Sequence, residues 1–135
     1  MKFFKVRVLN FNVADKIGDV FPDDCQVEFK NPLPITDAGG EQFRHQGKAV
    51  LSRESHGIDA DLEIDEGTPC HVLIEQIRKT GVPLKLYPAV NGAVVERDGR
   101  GIKSCMILSI DLCAAGNSDP TIPPLTLTEE PVSQG

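Results

Sequence analysis

Apolar and polar residues alternate without a break in the middle of the chain. The apolar positions are Ile58, Ala60, Leu62 and Ile64, and the acidic ones are Asp59, Asp61, Glu63 and Asp65. A period of two is typical of a β-strand with one buried face. Ala49 and Leu51 share one side of the preceding segment, and Ser55-His56-Gly57 supplies the turn. The pattern predicts a hairpin that starts near Phe43 and ends near Ile64.

The periodicity then changes to that of a helix. Cys70, Leu73, Ile74 and Ile77 recur at a spacing of 3.6 residues. Thr68 is suited to the N-cap, Pro69 to the first helical position and Gly81 to the C-terminal cap. A helix is therefore predicted over about residues 68–80.

A second hairpin follows the helix. Leu84, Leu86 and the run to Val90 predict a strand, Asn91-Gly92 predicts a turn or bulge, and Asp98-Gly99-Arg100-Gly101 is typical of a hairpin turn. The last strand, residues 102–113, is apolar on both faces. Met106, Leu108, Ile110 and Leu112 lie on one face and Cys105, Ile107 and Cys113 on the other. We expect it to be central in the sheet and packed on both sides.

The ends of the chain give weaker patterns. The alternation of residues 4–13 slips by one position, which predicts a strand with a bulge. Residues 26–29 form a short strand candidate, and prolines and glycines predict a surface loop over 30–42. The Pro- and Thr-rich residues 119–135 are expected to be a mobile or polyproline-like tail unless a partner orders them.

Together these elements predict one α+β, mostly β domain over residues 1–118, followed by the tail. The expected architecture is a small antiparallel sheet or open barrel with one main helix. A chain of 135 residues with 40% hydrophobic content fits a single soluble domain.

Composition excludes several classes of partner. The net charge of −6 disfavours nucleic acid, and no apolar stretch reaches signal-peptide or membrane-span length. The four cysteines form no C-x-x-C pair, which favours reduced thiols in a cytoplasm-like compartment over zinc or disulfides. The glycines around Arg100 match no phosphate-binding motif. We therefore expect no cofactor, metal, membrane or small-molecule ligand.

Histidines and serines are the first candidates for catalysis. Ser52 or Ser55, with His45 or His56, would be the nucleophile and base of an active enzyme. No G-x-S-x-G motif frames any serine, which favours structural roles for all of them. Cys70 permits two interpretations: a thiolate activated by the helix N-terminus, or a small apolar residue of the helix stripe.

The acidic strand is the most concentrated charge feature. Asp59, Asp61, Glu63 and Asp65 are expected on one face, with neighbours about 6.6 Å apart. Two adjacent carboxylates at that spacing do not hold Mg²⁺ without ligands from elsewhere. A solvated outer face and a docking surface for a basic partner remain the other two interpretations.

Four segments between Gly47 and Pro120 follow one another in a recognisable order. They are Gly47-Lys48-Ala49-Val50-Leu51, His56-Gly57-Ile58-Asp59-Ala60-Asp61-Leu62, the helix leading into Leu84-Lys85-Leu86, and Ile107-Leu108-Ser109-Ile110-Asp111-Leu112 with the turn Asn117-Ser118-Asp119-Pro120. This order resembles that of the phage prohead (head-maturation) proteases, over about half the chain. The family places a serine in the strand after the helix, and Tyr87 stands there in this chain. A phenol is a poor acyl-transfer nucleophile without special activation. His45 precedes Gly47 by two residues, closer than the family's histidine.

The resemblance implies a degenerate, inactive relative that stays with the phage head. We expect a non-catalytic virion protein, a capsid decoration, cement or head accessory protein, made in the host cytoplasm. Its partners would be the major capsid protein or other virion proteins, with a possible homo-oligomer. The expected partner-binding residues are those of the acidic strand and five of the tail, Thr121, Ile122, Pro123, Pro124 and Leu125.

Two alternatives remain from other classes of protein. One is an active maturation serine protease with a relocated nucleophile. The other is a soluble acidic inhibitor or adaptor.

Overall fold

The computed structural model describes residues 1–37, 45–114 and 116–127. Within them the chain forms seven strands and one helix. The strands are β1 (Lys2–Asn10), β2 (Gln26–Glu28), β3 (Leu33–Asp37), β4 (His45–Arg53), β5 (Gly57–Ile64), β6 (Tyr87–Asp98) and β7 (Gly101–Cys113), and the helix is α1 (Pro69–Thr80). The mostly β composition and the single main helix are thus as predicted.

All seven strands belong to one open sheet. The order is β1-β5-β4-β3-β7, and β6 pairs with the other side of β7. β2 and β3 both run parallel to β7, whereas the remaining pairs are antiparallel. The expected antiparallel sheet is therefore wrong for two pairings, and the sheet is mixed.

The helix begins and ends where the sequence predicts. Thr68 Oγ1 accepts a hydrogen bond from the His71 N–H, and Gly81 closes the helix in the left-handed conformation at φ 68°. Cys70, Ile74 and Ile77 are buried against the inner face of the sheet. This apolar stripe joins α1 to the main core.

Residues 33–37 are the main error of the sequence interpretation. They form β3, a strand between β4 and β7, with Leu33 and Ile35 buried. Proline lacks the N–H group that a strand needs to pair on both sides. Pro34 is tolerated because β3 pairs with β7 only from Ile35 onward, so no N–H toward β7 is needed at residue 34. Residues 38–42 of the predicted loop, and Phe43, lie outside the described residues.

β7 is central, as expected, but it is not packed on both sides along its whole length. Met106 and Leu108 are 40% and 54% exposed, while Ile110 and Leu112 are buried. A register shift of β6 against β7 between Asn91 and Gly92 changes the alternation at this point. A Cβ atom on residue 92 would overlap the carbonyl oxygen of Met106, so the shift requires glycine there.

The described part of the C-terminal tail packs onto the domain. Ile122, Leu125 and Leu127 are buried, and the Leu125 N–H donates to the Leu86 carbonyl at 2.9 Å. The expectation of a tail that only a partner orders is wrong for residues 119–127, because these apolar side chains find a site within the chain itself. Residues 128–135 lie outside the described residues.

Candidate functional site

Tyr87 opens β6 opposite Cys113 of β7. It is half-buried and lines an open cavity of about 290 Å³ with Lys16, Asn117 and Asp119. The amide of Asn117 donates to the Pro88 carbonyl at 2.7 Å, and Asp119 accepts the Thr121 hydroxyl at 2.6 Å. Asn117 and Asp119, the polar residues beside Tyr87, thus find hydrogen-bond partners within the chain. These bonds hold the turn that leads into the tail.

The candidate bases and nucleophiles lie apart. His45 and Ser52 are at opposite ends of β4, about 23 Å from each other along a strand of seven steps. His45 Nε2 is 3.5 Å from Asp65 Oδ2, and the Ser52 hydroxyl donates to Glu54 Oε1 at 3.1 Å. The structure does not bring this base and this nucleophile together.

Ser55 and His56 occupy the exposed turn between β4 and β5, as predicted. The His56 carbonyl accepts the Phe11 N–H at 2.9 Å, so the turn is held by its backbone. Among the hydrogen bonds of the described residues, none joins Ser52 or Ser55 to a histidine. The geometry favours a structural role for Ser55 and His56 as residues of the turn.

Sequence reasoning missed a buried polar cluster on β3 and β7. The hydroxyls of Thr36 and Ser109 both donate to Asp111 Oδ1, the second at 3.3 Å. All three residues are buried. Ser109 and Asp111 sit two apart in an otherwise apolar run, a signal that was visible, but Thr36 fell inside the predicted loop.

Asp111 in this cluster is a buried carboxylate with hydrogen-bond donors beside it. Two hydroxyl donors compensate Asp111 for the loss of water, which is the usual condition for burying an acid. Ser109 is buried on a central strand, where a peptide substrate does not reach it. Burial, and then the charge of Asp111, raises the pKa of the Cys113 thiol in the same row.

Cys70 lies in the apolar stripe of α1 and is buried. Its backbone N–H donates to Oε1 of Gln46 at 2.8 Å, an amide that is itself fully buried. This geometry favours the packing interpretation of Cys70 over a reactive thiolate, because a nucleophile needs access to its substrate.

The acidic strand β5 finds basic and N–H partners within the chain. Asp59 pairs with Arg7 Nε at 2.5 Å, and Asp61 accepts the Lys5 N–H at 3.0 Å. Glu63 lies opposite Lys2 on one side and Lys48 on the other. Asp65 follows the end of β5 and contacts His45.

Two further findings concern the described residues. No group of three or more His, Cys, Asp or Glu there is arranged to hold a metal ion. Nor does this part of the chain contain a helix with the length and apolar character needed to cross a bilayer.

The tail residues expected to bind a partner divide into two sets. Ile122 and Leu125 are buried in this chain, so their side chains are occupied. Thr121 and Pro123 are exposed, although the Thr121 hydroxyl accepts the Asn10 amide at 2.9 Å. Pro124 is half-buried. Only part of the predicted tail surface is therefore free to meet another molecule.

Comparison with known proteins adds no relative. No protein-family model, curated protein or solved structure matches this chain.

Proposed function

We propose that the chain is a non-catalytic phage virion protein, a capsid-associated decoration, cement or head accessory protein that binds the major capsid protein. This role follows from the resemblance to the prohead proteases and from the state of the positions that would carry their chemistry. The fold named in that resemblance is part of the same proposal.

The observation that carries the proposal is Tyr87 at the start of β6. The strands β4 and β5, the helix α1 and the hairpin β6–β7 follow one another in the order that the resemblance implies. The strand after the helix then opens with a phenol in place of a serine hydroxyl. A scaffold of this kind retains its surfaces while it lacks the acyl-transfer nucleophile.

The positions of the other candidate groups support the same role. His45 contacts Asp65 at one end of β4, and Ser52 contacts Glu54 at the other. Ser109 is buried beside Asp111. A protease with a relocated nucleophile needs one of these hydroxyls within hydrogen-bond reach of its base and open to substrate.

Co-sedimentation with assembled phage heads tests the proposal. The purified chain is mixed with heads built from the major capsid protein, and bound protein is quantified after pelleting. We expect saturation at a fixed number of copies per head, with both proteins uncleaved. Failure to pellet with heads would remove the virion role.

The protease alternative is decided in the same mixture. Specific cleavage of the capsid protein, lost in Ser52→Ala, Ser55→Ala, His45→Ala or His56→Ala, would overturn the non-catalytic proposal. Tyr87→Ser is the informative gain-of-function control, since it exchanges the phenol for an alkyl hydroxyl at the position that the resemblance assigns to the nucleophile.

A further inference from the structure

The outer face of β2, β7 and β6 is uncovered. In register, Glu28 of β2 lies beside Met106 of β7, and Met106 lies beside Ala93 of β6. The adjacent row consists of Gln26, Ser104 and Glu96. The opposite face of β7 packs into the core through Cys105 and Ile107.

The centre of this outer face is apolar. Met106 and Leu108, two positions apart on β7, are both substantially exposed, and Ala93 beside them is exposed as well. Elsewhere on β7, beyond the register shift, Ile110 and Leu112 are buried. An exposed Met and Leu in the middle of a central strand are unusual, because a central strand is normally covered on both faces.

The rim of the same face is acidic. Its exposed carboxylates are those of Asp24, Glu28, Glu96 and Asp98. Three of them line an open groove of about 470 Å³ together with Lys103. Across the described part of the chain, none of the four makes an ion pair or a side-chain hydrogen bond, in contrast to Asp59 and Asp61 of β5.

We propose that this face, which we call the β2–β7–β6 face, docks an amphipathic helix of a partner protein, with apolar residues on Met106 and Leu108 and Lys or Arg residues against the acidic rim. The inference rests on the proposed function, and the helix belongs to a virion protein. Charge complementarity selects the basic flanks, since the four exposed carboxylates outnumber Lys103, which lines the groove with three of them.

A helix suits this face for a physical reason. It satisfies its own backbone hydrogen bonds, so it packs on the side chains of a sheet without requiring a free strand edge. Met106 and Leu108 are about 6.6 Å apart along β7, close to the roughly 5.4 Å rise of one helical turn. Successive apolar residues of one helix stripe therefore meet both side chains.

The first test uses the complete chain and assembled heads. Met106→Glu with Leu108→Glu removes the apolar centre, and Glu96→Lys with Asp98→Lys reverses part of the rim. Each pair is expected to weaken attachment at least about tenfold, the effect of losing roughly 1.4 kcal/mol of binding. Val50→Glu and Glu66→Lys are the matched controls, because both positions are exposed and lie off this face. They are expected to attach like the wild type.

The second test needs no variant. A soluble Lys/Leu amphipathic helical peptide is titrated into the ¹⁵N-labelled wild-type chain, and a Glu/Leu peptide of the same pattern is the control. We expect shifts at Ala93, Met106 and Leu108 with the basic peptide only. Shifts confined to α1 or β5, or equal responses to both peptides, would overturn the inference.

The outcomes separate the inference from the proposed function. Heads that bind the wild type and both double variants equally would leave the virion role standing and refute the docking face. A wild type that does not pellet with heads, yet binds the basic peptide on this face, would refute the virion role and retain the face.

Discussion

Gln46 joins two elements through one side chain. It is fully buried at the start of β4, and its Oε1 accepts the Cys70 N–H in the first turn of α1. A helix N-terminus leaves N–H groups without partners inside the helix, and a buried one must find acceptors elsewhere. Gly47 follows directly, where a Cβ atom would overlap the carbonyl oxygen of Glu63 on β5. These two residues set how closely the helix and β5 approach β4.

Cys25 and Cys105 are buried packing residues whose thiols have raised pKa values. Burial raises the pKa of Cys105 to about 11, and the nearby Cys25 contributes in the same direction. Burial also raises the pKa of Cys25, although Arg53 partly opposes it. Both thiols therefore stay protonated well above neutral pH.

Alkaline pH is expected to destabilise the fold through Cys105. Its pKa is raised above the ordinary value of 9.0, so the unfolded chain loses this proton first and the folded chain keeps it. The contribution to stability is complete below pH 9 and is lost as the pH rises from 9 to 11. Denaturant unfolding at several pH values measures this decline.

Cys105→Ala is the control for that measurement. It should be less stable at neutral pH, because it leaves a cavity, but its free energy of unfolding should fall less between pH 9 and 11 than that of the wild type. Parallel pH profiles for the two proteins would contradict the assignment.

At the scale of elements, the tail acts as part of the domain. Leu125 donates through its N–H to Leu86, and Arg78 Nε of α1 donates to the Leu127 carbonyl at 3.1 Å. The segment thereby bridges the helix and the connection between α1 and β6. The tail alone does not bury enough apolar surface to offset the entropy that it loses when it becomes ordered. Burial of its side chains against the rest of the domain offsets that loss.

Leu125→Ala is expected to lower the free energy of unfolding by about 2–5 kcal/mol, the usual cost of emptying a buried leucine site. Chemical denaturation measures the change. The neighbouring Thr126→Ala is the control, since Thr126 is exposed and its change should stay within about 0.5 kcal/mol. Equal effects of the two substitutions would indicate that the segment does not pack as described.

The second hairpin is also held by an ion pair that the sequence does not indicate. Asp19, whose side chain is largely buried, contacts Arg97 of β6 at 3.2 Å and Arg100 of the turn at 3.8 Å. Loop residues before β2 thereby fix the end of the β6–β7 hairpin, which carries part of the β2–β7–β6 face.

For the whole molecule, the distribution of charge matters more than its sum. The net charge is −6, yet the acids of β5 lie among Lys2, Arg7 and Lys48. Within the described residues, the four acids of the β2–β7–β6 face make no ion pair, although Lys103 lines the groove with three of them. An acidic field that the chain does not neutralise attracts basic partners and repels phosphates.

The proposed attachment to phage heads should therefore depend on salt. Raising the ionic strength from about 0.05 to 0.5 M shortens the Debye length and should weaken attachment of the wild type by roughly tenfold. Sedimentation at several salt concentrations measures this. Val50→Glu should follow the wild type, while attachment that is insensitive to salt would argue against an electrostatic contribution.

Regions held by contacts between residues close in the sequence were predicted, whereas regions held by distant contacts were not. The β4–β5 hairpin, α1 with its caps and the turn of the β6–β7 hairpin are local structures, and their periodicity and turn residues sufficed. The predicted start of the next strand at Leu84 is wrong: β6 begins at Tyr87, and the Leu86 carbonyl pairs instead with the Leu125 N–H of the distant tail. β3 was missed because its pairing with β7 joins residues about 75 apart in the chain, and no local pattern encodes such a partner. The Thr36–Asp111 contact was missed for the same reason.

By itself, the sequence determined the mostly β composition and the position of the helix, because each depends on residues adjacent in the chain. Only the tertiary structure decided that Asp59 of β5 meets Arg7, that the tail closes onto α1, and that Met106 and Leu108 stay uncovered. Burial and charge pairing depend on which surfaces of the protein contact each other. For these residues, the contacting surfaces come from distant parts of the chain.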